Sequence, residues 1–250
     1  MYNSDPLITL ILAFVINAVL AIGTYYAKQI SRTGAIAGFA VGALIYFCTD
    51  WRGYVVLVAF FILGTLVTKI KYKDKAEKGI AQEDEGRRGA RHAIANCSAS
   101  MLLAVFAYWS FRMDDMATAT LLMVGFTGAF ATALSDTASS EIGQAYGKTT
   151  ILLTSFKRVP PGTEGAVSLE GTVAGIIGSL VLAVIGYATG IVPGWQAIVA
   201  VVTAAFIGNT LESIIGSTIE QLSFVTNEVT NFINTVIGAV AAIGIYFLLK

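Results

Sequence analysis

Long apolar runs recur along the chain from end to end, each broken by a short polar stretch. The pattern predicts eight candidate membrane spans, at about 6–27, 33–49, 52–70, 92–111, 117–138, 168–191, 195–217 and 229–249. A hydrocarbon core about 30 Å thick needs roughly 20 helical residues, and most of these runs meet that length. The second run, TGAIAGFAVGALIYFC, is short, and read as re-entrant it would leave seven crossings. The chain does not show the alternating ten-residue segments of a membrane β-barrel. The expected fold is therefore all-α: a polytopic membrane helical bundle of about eight transmembrane helices, in one transmembrane domain over 1–250.

Composition supports this class. The chain is 56% hydrophobic and 13% charged, against about 25% charged in soluble domains. Net charge is zero and says nothing about partners, but the placement of the charges does. Of the 16 Lys and Arg residues, all but Arg52, Arg112 and Lys250 fall in the odd-numbered loops or the adjoining span ends. The positive-inside rule then puts those loops in the cytosol and both termini on the opposite side. Seven crossings would break the alternation, so eight are preferred. The larger cytosolic loops are 71–91, 139–167 and 218–228, whereas the external ones shrink to DWR, RMDDM and VPGW. Chemistry is therefore expected at the cytosolic face. Cys48 and Cys97 form no CxxC pair and read as small buried hydrophobes. The start, MYNSDPLITL, lacks a basic n-region, so the first run reads as a retained span.

Polar side chains in spans are costly unless they face a polar interior, which makes each a functional candidate. Four clusters stand out, all at cytosolic ends. In GRRGARHAIAN, Arg88, His92 and Asn96 are four residues apart and share a helical face. Arg91 lies beside that stripe, and Arg87 alone suits interfacial anchoring. One histidine cannot make an ordinary zinc site. In LSDTASSEIGQAYGK, Asp136 and Glu141 stand among Ser135, Thr137, Ser139 and Ser140, oxygen donors suited to Mg²⁺. In SFKRVPPGTEGAVS, Lys157 and Arg158 bring positive charge and Pro160–Pro161 stiffens the backbone. Gly162 and Gly165 permit close approach, and Thr163 and Ser168 add hydroxyls. Successive amides entering a helix near Ser168 would make an anion-binding concavity. No GxxxxGK[ST] loop occurs. The last cluster spans two helices. Asn209, Glu212, Gly216 and Glu220 share one face of the seventh span, and Asn227, Asn231 and Asn234 share one face of the eighth, with Glu228 alongside. Such amides can also simply lock helices together.

Carboxylates for a divalent metal, cations and a glycine turn for phosphates, and helices open to lipid fit phosphoryl or nucleotidyl transfer to a lipid. A phosphate acceptor is already a nucleophile, so no general base is required. At these residues the chain also resembles a known family. SDTASSEIG, TSFKRVPPGTEGAVSLEGT, GNTLESIIGSTIEQ and LSFVTNEVTNFINTVIGA are similar to the integral-membrane family that includes phytyl-phosphate kinase, over about 87–242. The resemblance implies phosphorylation of phytyl monophosphate to the diphosphate, for tocopherol and phylloquinone synthesis. It implies a nucleoside triphosphate donor, CTP by analogy with phytol kinases, and Mg²⁺.

Carried over, the acidic motif falls on Ser135, Asp136, Thr137, Glu141 and Gly143. The basic glycine loop falls on Lys157, Pro160, Pro161, Gly162, Thr163, Gly165 and Ser168. Later motifs fall on Glu212, Ser213 and Gly216, and on Asn227, Glu228, Asn231 and Asn234. The chain departs at Ala138, where an aromatic is common, at Glu164 and Ala166 in the loop, and at Glu212, where Asp is frequent.

The expected roles follow. Asp136, Glu141 and Glu212 hold Mg²⁺. Lys157, Arg158, Arg91 and the Gly162–Gly165 amides hold phosphates. Asn209, Asn227 and Asn231 orient a phosphate or the metal, and Asn96, Ser135, Thr137, Pro161, Thr163, Ser168 and Glu228 complete the binding set. Expected partners are the prenyl-phosphate lipid, the nucleotide and the bilayer, with no nucleic acid. The oligomeric state is open, a homodimer included. A CTP-dependent prenol kinase, a cytidylyltransferase and a transporter or flippase remain alternatives. Glu164 could bind metal, pair with Lys157 or Arg158, or face solvent.

Overall fold

Helix starts follow ordinary capping chemistry in the computed structural model, which describes residues 5–82, 84–218 and 226–250. Asp5 caps α1 (Pro6–Tyr26), accepting from the Leu7 amide at 2.8 Å, with proline at the first helical position. Ser31 caps α2 (Arg32–Lys69) through the Gly34 amide at 3.1 Å. A six-residue helix, α3 (Tyr72–Glu77), and a 3₁₀ turn at Asp84–Gly86 lead to α4 (Ala90–Arg112). Asp115 caps α5 (Met116–Tyr146). Two short strands, β1 (Thr150–Leu152) and β2 (Ala166–Ser168), pair antiparallel with Thr150 opposite Ser168. Then come α6 (Leu169–Ala188), α7 (Trp195–Thr218) and α8 (Asn227–Leu249).

Seven of the described helices are long and apolar enough to cross a membrane. One of them, α2, has 38 residues and cannot be a single rod. Asp50 interrupts it with φ 53° and ψ −162°, outside helical geometry. Gly34 and Gly64 both lie against Arg88, although a straight helix would hold them about 45 Å apart. The Tyr46 and Tyr54 rings meet at 5.3 Å, where a straight helix would separate them by about 12 Å. Lys69 Nζ donates to Gln29 Oε1 beside the start of the helix. The helix is therefore a tight hairpin with arms 32–49 and 51–69, turned at a single residue. Asp50 Oδ1 accepts from the Arg52 amide at 2.8 Å and closes that turn.

The first arm runs beside α1, with Phe14 on Phe39 and Asn17 on Gly42. From Gly42 it continues about 12 Å to the turn, nearly level with the start of α1. At 18 residues it is close to the length of a crossing, so the folded α2 supplies two span-length arms among the seven described helices long enough to cross.

At the centre is α5. Every residue from Met123 to Ser135 is buried, and the helix contacts α2, α4, α6, α7 and α8. A helix apolar all round belongs in the interior. It extends eight residues beyond the expected end of its span, so the first eight residues of the supposed loop 139–167 are helix. Hydroxyls near that end bond back to the preceding turn: Thr137 Oγ1 donates to the Ala133 carbonyl at 2.9 Å and Ser140 Oγ to the Thr137 carbonyl at 3.2 Å. The rest of that loop carries the small β ribbon, the one departure from an all-helical chain among the described residues.

Candidate functional site

Where the C-terminal ends of α2, α5 and α7 meet the N-terminal ends of α4, α6 and α8, they enclose a polar cavity of about 540 Å³. That volume suits a nucleotide-sized ligand. All these ends lie at one side of the bundle, the side carrying the odd-numbered loops.

Three carboxylates come from the bundle helices: Asp136 from α5, Glu212 from α7 and Glu228 from the first turn of α8. Thr137 stands beside Asp136, and Asn209 lies one turn before Glu212. Asn209 Nδ2 donates to Ser139 Oγ at 2.8 Å, which ties α7 to α5 across the cavity wall. Asn227, Glu228 and buried Asn231 line it from α8. Buried Asn96 lines it from α4, its Nδ2 donating to the His92 carbonyl at 3.0 Å. Asn234, one turn deeper, is also buried but lies outside the lining. Glu220 lies outside the described residues.

The roof is built from both large loops. Gly162, Thr163, Glu164, Gly165 and Ser168 line the cavity. Gly162 has φ +88° and Gly165 φ +70°, in the left-handed region where only glycine sits without strain. A Cβ on Gly162 would run into Ile80 of the 71–91 loop, and one on Gly165 into the Ser213 carbonyl of α7. Ser168 is buried and caps α6 through the Gly171 amide at 3.1 Å. Gly165→Ala should therefore destabilise the protein by about 1–3 kcal/mol, from backbone strain and the clash with α7. Thermal unfolding in detergent measures this, and an unchanged melting temperature would mean that the loop does not dock on α7.

The structure does not bring every expected residue to the cavity. Lys157 and Arg158 are exposed in a hairpin outside it, where the Leu152 amide bonds the Lys157 carbonyl at 3.1 Å and Arg158 bridges Ile151. Pro161 and Ser135 also lie outside the lining. Arg91 is exposed, because it sits a quarter-turn from the Arg88–His92–Asn96 stripe that enters the cavity.

Glu141 is the largest correction. It is buried, ion-paired with equally buried Lys75 of α3, and absent from the cavity lining. Lys75 Nζ also donates to the Thr68 carbonyl at 3.0 Å. Accordingly, no three His, Cys, Asp or Glu side chains converge as a metal cage among the described residues. Mg²⁺ ordinarily binds through one or two carboxylates plus substrate phosphates and water. Asp136 and Glu212 fit that mode.

Sequence reasoning gave Arg87 only an anchoring role, set Arg88 on a stripe without a role in the site, and passed over Lys75. Arg87 and Arg88 are the cavity's cations. Arg87 pairs with Glu85 at 2.9 Å, which holds that carboxyl below its ordinary range, and its Nε is buried without a partner among the described residues. Arg88 is pinned by its backbone, its amide donating to the Gln29 carbonyl and its carbonyl accepting from Ser31, both at 3.2 Å. The four-residue spacing of Arg88, His92 and Asn96 was the available signal.

Comparison with known proteins gives a consistent picture. The family model described as Integral membrane protein DUF92 matches residues 15–239. The chain is 40% identical to the uncharacterized membrane protein sll0875 of Synechocystis sp., covering 87% of this chain and 83% of that one. It is 39% identical to Protein VTE6, chloroplastic, of Arabidopsis thaliana, covering 86% and 64%. Over 97% and 96%, it is 32% identical to the uncharacterized membrane protein MJ0933 of Methanocaldococcus jannaschii. No solved structure matches the chain.

Proposed function

The chain belongs to the DUF92 family of integral membrane proteins, and from that premise we propose that it is a prenyl-phosphate kinase. It would transfer the terminal phosphoryl group of a nucleoside triphosphate, CTP by preference, to phytyl or a related prenyl monophosphate. The observation that carries this reading is one cavity holding Asp136 and Glu212, Arg87 and Arg88, and the left-handed turns at Gly162 and Gly165. The resemblance of its motifs to the phytyl-phosphate kinase family supports it.

In this reading an oxygen of the acceptor phosphate attacks the terminal phosphorus. The bond to the nucleoside diphosphate breaks, and the diphosphate leaves as the prenyl diphosphate forms. The acceptor is ionised at neutral pH, so the site needs no base, and His92 serves to position. Arg87 and Arg88 hold phosphate oxygens, for which a guanidinium's forked donors are suited. Asp136 and Glu212 would hold Mg²⁺, which when bound neutralises phosphate charge. Asn209, Asn227 and Asn231 orient the ligands with their amides. The cytosolic placement of the cavity rests on the loop charges.

The test is a panel of prenyl monophosphates against the four nucleoside triphosphates, with Mg²⁺ and with EDTA. We expect prenyl diphosphate with Mg²⁺, fastest with CTP, and none with EDTA. A CDP-lipid product would make the protein a cytidylyltransferase. Lipid movement without nucleotide consumption would make it a transporter.

A further inference from the structure

A second cavity, a groove of about 250 Å³ with almost wholly apolar walls, lies between α1, both arms of α2 and α4. It abuts the polar cavity, because Arg88 and His92 line both. Among the described residues, Arg88 is its one lining cation and no carboxylate lines it.

Three glycines shape its wall. Gly34, Gly38 and Gly42 are spaced by four on the first arm and share one face. Small residues at that spacing usually let two membrane helices approach. Two of the three do so here: a Cβ on Gly34 would strike the Arg88 carbonyl, and one on Gly42 the Asn17 amide. A Cβ on Gly38 would meet nothing within 4 Å. Packing does not require that glycine, and its missing side chain only widens the groove. The far end is closed by Tyr54, whose hydroxyl donates to Asn17 Oδ1 at 2.8 Å, while Asn17 Nδ2 donates to the Ala13 carbonyl at 2.7 Å. That end is satisfied within the protein and offers nothing to a charged ligand.

From Gly34 to Gly42 the helix rises about 12 Å. An extended chain advances about 1.2 Å per bond, so this length takes roughly ten chain carbons. Interiors are otherwise close-packed, and apolar voids stay dry until an apolar ligand fills them. An apolar slot with a cation at its mouth, opening on the nucleotide-sized polar cavity, complements an amphiphile with an anionic head.

We propose that this groove holds the head-proximal carbons of the prenyl tail, with the acceptor phosphate at Arg88 and His92 in its mouth. The rest of the tail continues into the bilayer. The inference rests on the kinase reading above, and it identifies Gly38 as a position that sets how the tail is gripped.

The experiment uses the full chain in nanodiscs with C10, C15 and C20 prenyl monophosphates. Gly38→Phe should raise KM at least tenfold for all three, with kcat at saturation within about twofold of wild type. Gly244→Phe, which also points into open space but from α8, should match wild type. Unchanged KM in Gly38→Phe would overturn the groove and leave the kinase reading intact. If the wild type phosphorylates none of the three, the kinase reading fails, and photolabelling decides the groove separately. A C20 monophosphate with a diazirine on its second isoprene unit should then label the two α2 arms, and Gly38→Phe should suppress it. Labelling spread evenly over the lipid-facing helices, or displaced by bulk phospholipid, would mean that the groove takes any lipid.

Discussion

Asp136→Asn should lower kcat for prenyl-phosphate phosphorylation by at least about a hundredfold, the scale expected when a charge that organises the transferring phosphates is removed. The side chain keeps its size, so the loss would report charge and not shape. Asp136 comes from the helix buried on every face, which fixes its position better than any loop could. Glu212→Gln tests the other carboxylate, which α7 supplies, and as the second proposed ligand its effect should be of similar size. Raising Mg²⁺ should partly restore Glu212→Gln, which keeps Asp136, and should leave wild type unchanged. Wild-type turnover in Asp136→Asn would remove the proposed site altogether. Circular dichroism of each variant separates lost chemistry from lost folding.

Lys75→Met should cost about 3–5 kcal/mol of stability, because it leaves the Glu141 carboxylate buried without its cation. Both side chains are almost fully buried, at 1% and 2% exposure, so solvent does little to screen the pair. Lys75→Met combined with Glu141→Leu should recover most of that loss, since an apolar pair of similar volume is often neutral or stabilising. The double variant also tests the proposal that Asp136 and Glu212, without Glu141, hold the metal. It should remain Mg²⁺-dependent and active, because Asp136 and Glu212 are untouched. Thermal unfolding in detergent and the EDTA titration are the two readouts. A single variant that melts with wild type would mean that Lys75 is hydrated and the pair unimportant, and a stable but inactive double variant would return Glu141 to the site.

The expected polar positions that the structure brings to the cavity share one property. Asp136, Asn209, Glu212 and Asn231 sit within long apolar helices, where an unpaired polar group is expensive, so their presence alone pointed to a polar interior. The expected residues that lie outside the cavity share a property too. Glu141 follows Asp136 by five residues, about 140° around the helix, so the two carboxylates face different neighbours. One faces the cavity and the other faces Lys75. Nothing within a single helix says which. Lys157 and Arg158 carry the right charge, but pairing of the β ribbon turns them out to the rim. Lys75 was one cation among many in KYKDKAEK, and only the fold buries it.

Helix class, span number and the side on which the polar groups gather were determined by the chain itself, because the transfer cost of each residue into hydrocarbon is local and additive along a span. Even the hairpin was anticipated by its break: two apolar runs with only a few polar residues between them leave little choice but to turn back. Tertiary structure alone decided which carboxylate meets which cation, which arginines reach the cavity, and that Gly38 faces empty space while Gly34 and Gly42 do not. Those outcomes depend on how each helix is rotated against its neighbours, and that rotation is set by packing between segments far apart in the chain.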